Sequence, residues 1–147
     1  MPEIVRTATV TWTGDLRGGL GKASTQSGAL REVSITFPSR FEQGEGSNPE
    51  ELIAAAHAAC FSMALSSRLA QRGLPPQEIR TRAAVTLQTG EGGPRITKVH
   101  LETEARVPGA DEATFRQAAE EAKEGCPVSA LLKPGLQALT LDARLLP

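Results

Sequence analysis

Two side chains in this sequence can act as sulfur nucleophiles, Cys60 in "AAAHAACFSMALS" and Cys126 in "EGCPVSALL". An ionised thiol is the reactive species, and two thiols together can form a redox couple in which one closes on the other's sulfenic acid as a disulfide. Cys60 lies about twelve residues into an apolar helical stretch, beyond the first turn where the helix dipole could stabilise its thiolate. Burial there favours the neutral thiol, so Cys60 is an inert small hydrophobe unless a cation sits beside it. Cys126 stands at the N-cap of a short helix with Pro127 in the first position, where backbone N–H groups and the dipole favour a thiolate. Spacing alone does not bring the two sulfurs together.

Other chemistry is poorly supported. His57, three residues before Cys60, makes a Cys–His hydrolase dyad conceivable, but no oxyanion-hole motif accompanies it. The plainer expectation is a helix histidine satisfied by a nearby backbone group or carboxylate. His57, Cys60, His100 and Cys126 lack zinc-ligand spacing, so no metal is expected. The Gly-rich "GDLRGGLGK" at 14–22 fails as a phosphate loop, since Lys22 is followed by Ala23 and Leu16 stands where the motif needs its first glycine. It reads as a wide hairpin loop.

The elements that must hold these residues can be read from periodicity. The 147 residues suit a single domain, 1–147, burying about 70% of its unfolded surface. Residues 4–12 alternate as a half-buried strand, and "KASTQSGALREVSITF" continues as two short strands around Ser27-Gly28, completing a three-stranded meander. Trp12 reads as a strand residue capping the core edge. A loop, "PSRFEQGEGS", leads to a helix with Asn48 at N-cap, Pro49 at N1 and Glu50 and Glu51 in its first turn, ending near Gly73. This helix is apolar nearly all round, the pattern of one enclosed on most sides. "IRTRAAVTLQT" and "RITKVHLETEARV" form a hairpin across "GEGG", "DEATFRQAAEEAKEG" an amphipathic helix, and "LQALTLDARLL" a last strand after the short helix from Pro127. The class is α+β, with antiparallel sheet against helices.

Composition narrows the partners. At 39% hydrophobic and 22% charged, with net charge −1 and no block of like charge, nothing points to nucleic acid or an anionic membrane. With no Tyr, one Trp and four Phe, base-stacking platforms are also unexpected. "MPEIVRTATVTW" has neither the basic nor the apolar region of a signal peptide, and the run Leu52 to Leu65 is shorter than a bilayer span, so a cytoplasmic location is expected.

"FEQGEGSNPEELIAAAHAACFSMALS" and "GCPVS", with "WTGD" after the first strand, resemble the OsmC/Ohr family of thiol peroxidases, more its osmotically inducible (OsmC) branch than its organic hydroperoxide resistance (Ohr) branch. The resemblance runs the length of the chain. It implies a swapped, intertwined homodimer with two long central helices packed between antiparallel sheets. It also implies an antioxidant role in osmotic and oxidative stress, reduction of organic hydroperoxides without a cofactor, and re-reduction by an external dithiol of lipoyl type. The alternative is a sensor that oxidises once, or a protein that binds a hydrophobic ligand. The peroxidatic cysteine falls on Cys60, the resolving cysteine on Cys126, the activating arginine on Arg40 in "SRFE" and its orienting glutamate on Glu50 in "NPEE". Arg17 in "DLRGG" stands near the place from which the Ohr branch takes its arginine. Ten residues of helix separate Glu50 from Cys60 by roughly 15 Å. A shared site is reached either by antiparallel helices crossing near Ala55, with Glu50 of each chain beside Cys60 of the other, or by a long Arg40 side chain bridging the gap within one chain.

Overall fold

Alternating Val, Thr and small residues near the N-terminus produce an antiparallel meander of β1 (Ala8–Thr13), β2 (Leu20–Thr25) and β3 (Val33–Ile35), with Thr11 opposite Lys22 and Lys22 opposite Ser34. The computed structural model describes residues 1–147, and the chain divides into two compact units, Met1–Leu52 and Ile53–Pro147. The first strand starts four residues later than its alternation predicts. The indole of Trp12 lies across the backbone of the β1–β2 loop, where a Cβ on Gly19 or Gly21 would come within 2.9 or 2.8 Å of ring atoms. A Cβ on Gly19 would also meet the Asp15 carbonyl oxygen and, at 2.7 Å, that of Thr13, so the loop's own backbone excludes a side chain there, while at Gly21 the nearest obstacle is the Trp12 ring.

The segment expected to be a loop after β3 contains a short helix, α1 (Phe37–Phe41). Thr36 caps it by accepting from Ser39 N–H while the Ser39 hydroxyl accepts from Thr36 N–H, the reciprocal pair of a capping box. The Ser39 hydroxyl lies 2.7 Å from the Ser47 carbonyl, and the Asn48 side-chain amide donates to the Ser39 carbonyl at 3.0 Å. These contacts fold α1 back onto the start of α2 (Pro49–Gln71).

Asn48 is the N-cap of α2, its Oδ1 accepting from Glu51 N–H at 2.8 Å. Gly73 ends the helix with φ +73°; its N–H reaches Ala70 O at 2.9 Å, and Leu74 N–H reaches Leu69 O at 2.9 Å. That paired pattern is the Schellman termination. His57, Phe61, Leu65 and Leu69, spaced by four, form the buried stripe. The expectation of a helix enclosed on most sides is corrected here. Ala55, Ala56, Ala59 and Met63 form an exposed apolar stripe, Met63 at 73% exposure. At 23 residues α2 is long and apolar enough to cross a membrane by length and composition, with about a fifth of its most apolar stretch buried.

In the second unit, β4 (Glu78–Gln88) pairs antiparallel with β5 (Arg95–Arg106) as expected, with a register shift between Thr86 and Leu87. The helices α3 (Glu112–Gly125) and α4 (Pro127–Leu132) follow, and then β6 (Ala138–Leu145). β6 runs parallel to β5, with Leu101 opposite Leu141, so the expectation of wholly antiparallel sheets is overturned. Parallel pairing follows because the helices between β5 and β6 form a crossover that returns the chain to the strand's starting end. Odd-numbered β5 residues Val99, Leu101 and Ala105 turn inward to meet Phe61, Leu65 and Leu69 of α2 and Phe115, Ala118, Ala119 and Ala122 of α3. Truncating either fully buried phenylalanine to alanine costs about 3–5 kcal/mol.

Candidate active site

In the second unit the crossover carries Cys126 to the flank of α2. Both cysteines are free thiols, Cys60 half-buried and Cys126 fully buried, and they lie near enough for Cys126 to shift the pKa of Cys60. Burial, first, and then the hydrogen bond to Cys126 push the Cys60 thiol above its ordinary range. The Val128 backbone acts the other way, favouring the thiolate. No cation contributes. Pro127 has no N–H to offer, so Val128 is the first residue of α4 able to donate. The sequence places Cys126 at the N-cap and the structure agrees, with no side-chain cap hydrogen bond of its own.

One turn before Cys60, His57 is fully buried, with Nε2 2.8 Å from Ser129 Oγ and Nδ1 without a partner. The expected backbone or carboxylate partner is therefore a serine hydroxyl. Burial lowers the imidazole's pKa below its ordinary value of 6.5, favouring the neutral ring. Neither Ser129 nor the Val128 amide is singled out by sequence reasoning. The signal available was symmetry: His57 stands three residues before one cysteine, and Ser129 three residues after the other.

The other two site candidates lie in the first unit and meet there. Arg40, on α1, grips Glu50 in the first turn of α2 through Nε to Oε1 at 3.1 Å and Nη2 to Oε2 at 2.9 Å, a two-pronged ion pair. The Glu50 side chain is 9% exposed and that of Arg40 32%. Arg17, the alternative cation, stacks on Phe37 at 4.6 Å, Phe37 lies 4.8 Å from Phe41, and Arg40 faces Phe41 at 5.3 Å. Both arginines thus border one aromatic pair, but the carboxylate holds Arg40. The structure brings Cys60 to Cys126 and Arg40 to Glu50, as two separate pairs.

No group of three or more His, Cys, Asp or Glu side chains converges as a metal site requires. A cleft of about 660 Å³ on the second sheet is lined by Arg80, Arg82, Arg116 and Arg144 interleaved with acids. Its charges are largely paired, Arg144 with Glu104 and Arg82 with Glu102, and it holds no nucleophile. The thiol pair, rather than this cleft, is where bond-making chemistry is available.

Comparison with known proteins gives the chain's relatives. Residues 42–138 match the family described as OsmC-like protein. The chain is 49% identical over 134 residues to peroxiredoxin OsmC of Escherichia coli (strain K12), covering 91% of this chain and 92% of that protein. It is 33% identical over 130 residues to the organic hydroperoxide resistance protein of Xanthomonas axonopodis pv. citri, covering 86% and 87%. The crystal structure of OhrB of Bacillus subtilis superposes with a TM-score of 0.71 at 27% identity, covering 92% of this chain and 98% of that one. By sequence, by fold and by the motifs that carry its two thiols, the chain belongs to the OsmC family.

Proposed function

We propose that the protein is a thiol peroxidase that reduces organic hydroperoxides to alcohols and serves in antioxidant defence. The single observation carrying this reading is the proximity of two free cysteines, one of them half-buried on an apolar helix. In the proposed cycle the Cys60 thiolate attacks the distal oxygen of ROOH; an S–O bond forms, the O–O bond breaks, and the alkoxide takes a proton to leave as ROH. Cys126 then attacks the Cys60 sulfenic acid, water departs, and a disulfide remains. An external dithiol, of lipoyl type in the family reading, restores both thiols by exchange. No resident cofactor takes part.

The missing cation is supplied, in this proposal, by a second copy of the chain. The exposed stripe Ala55, Ala56, Ala59 and Met63 suits close helix packing, and Val10, Trp12, Leu16 and Leu20 of the first unit are also exposed. An intertwined homodimer covers both, makes one domain of residues 1–147, and sets the partner's Arg40–Glu50 pair beside Cys60. There the guanidinium lowers the thiol's pKa and stabilises the departing alkoxide. Such a dimer works in the cytoplasm, where reducing conditions keep the thiols open.

A multiple-turnover assay tests the reading. With excess cumene hydroperoxide and either dihydrolipoamide or a thioredoxin-type reductant, the enzyme consumes many equivalents per thiol pair. Consumption that stops after one equivalent with every reductant identifies a sensor instead, and no consumption at all identifies a binding protein.

A further inference from the structure

Cys60 and His57 are three residues apart on α2, and Cys126 and Ser129 are three residues apart across the start of α4. Residues so spaced share one helix face and are separated by about 4.5 Å of rise. Since Cys60 neighbours Cys126 and His57 meets Ser129, the two contacts are successive rungs between helical turns running in opposite directions.

α4 has little else to fix it. It is six residues long, its N-cap makes no side-chain hydrogen bond, Leu131 is 76% exposed, and Ser129 is its one fully buried residue. A helix of that length is not stable by itself. The one side chain it buries completely is polar and held by a directional bond to a histidine that has no other partner.

We infer that the His57–Ser129 hydrogen bond is a register clamp that keeps Cys126 within attacking distance of oxidised Cys60. This rests on the peroxidase reading above and assigns His57 and Ser129 as positioning residues for its second step. In that step the Cys126 sulfur attacks the sulfur of Cys60–SOH; the S–O bond breaks, the S–S bond forms, and the hydroxide leaves as water with the Cys126 proton. The competing fate is attack on a second hydroperoxide, which oxidises Cys60 to the sulfinic acid and releases another alcohol. Clamped geometry decides which fate is faster.

Rapid-quench mass spectrometry of the full-length protein with cumene hydroperoxide separates loss of the Cys60 thiol from closure of the disulfide. Ser129→Ala leaves the first rate unchanged, slows closure by about tenfold or more, and raises the sulfinic fraction, while Ser129→Thr, which keeps the hydroxyl, restores closure. Unchanged closure in Ser129→Ala overturns the clamp, as does a Thr variant as slow as the Ala one. A glutathione equilibrium reaches the same disulfide without peroxide, and Ser129→Ala lowers its effective concentration by about tenfold. If wild-type Cys60 ignores hydroperoxide while the glutathione arm behaves as stated, the peroxidase reading fails and the clamp stands. Hydrogen exchange of the reduced wild type needs no substitution: α4 amides protected like those of central α2 support the clamp, and exchange as fast as the 90–93 turn overturns it.

Discussion

Removing Arg40 from its carboxylate tests whether this pair is a built feature or a surface accident. Both Glu50 oxygens are held by Arg40, at 3.1 and 2.9 Å, and the Glu50 side chain is 9% exposed. Arg40→Met therefore leaves a nearly buried carboxylate without its two donors. A fully buried pair broken on one side loses about 3–5 kcal/mol, but Arg40 is 32% exposed and solvent screens part of that. A loss of about 1.5–3 kcal/mol is expected, the range of hydrogen bonds to charged groups. Arg40→Lys keeps the charge but not the fork and loses about half as much. Arg17→Ala, removing an exposed cation from the Phe37 face, loses about 0.5–1 kcal/mol. The assay is urea unfolding of wild type, Arg40→Met, Glu50→Leu and the double variant, compared at unchanged m. A coupling energy of about 1.5–3 kcal/mol is expected. Coupling below about 0.5 kcal/mol refutes the reasoning, because the pair would then be as weak as an exposed one.

Cys60→Ser abolishes hydroperoxide reduction, whereas Cys126→Ser performs one reduction and accumulates sulfinic or sulfonic acid at residue 60; modification of Cys126 at an equal rate in the Cys60→Ser protein reverses the roles. Because burial lowers the folded pKa of His57 below 6.5, its contribution to stability is complete above pH 6.5 and is lost as pH falls through the lowered value, by up to about 1.4 kcal/mol per pH unit. The ion-paired Glu104, Glu121 and Glu124 lie below their ordinary 4.5, so their losses begin at lower pH. Denaturant titration should then show His57→Gln flattening the limb between pH 6.5 and 4.5, and an unchanged limb refutes it. Met63→Glu, harmless on an exposed helix face, converts the proposed dimer to monomer by light scattering and removes activity; a dimer of unchanged mass moves the interface elsewhere. A heterodimer of Glu50→Ala and Cys60→Ser chains regains up to about half of wild-type activity if the centre is shared between chains, and no more than the Glu50→Ala homodimer if it is not.

The local rules written into this sequence were legible wherever a residue acts within its own turn of chain. Asn48, Pro49 and Gly73 bound α2 as their chemistry requires, and Asp111 caps α3 through Thr114 N–H at 2.7 Å. The short α1 was missed because its cap, Thr36 with Ser39, lies just where strand residues end and Pro38 suggests a turn. The direction of β6 was not legible, since its alternation is the same whichever way it pairs, and only the length of the α3–α4 crossover decides. In the candidate site, the cysteines, Arg40 and Glu50 stand out by type and motif. Ser129 does not, because a serine inside "CPVS" gains meaning only from the histidine seventy-two residues away that it touches.

The meeting of two thiols far apart in the chain also orders events during synthesis. Cys60 leaves the ribosome sixty-six residues ahead of Cys126, an interval of roughly 3–13 s at about 5–20 residues per second. During that interval the nascent chain exposes one thiol with no neighbour to capture its oxidised form, α3 is finished only at its end, and β6 has yet to be made. A permuted chain translated from residue 108 onward, with residues 1–107 following, would deliver Cys126 first and close that gap, so the gene order itself sets how long each new molecule is exposed to the oxidants it goes on to remove.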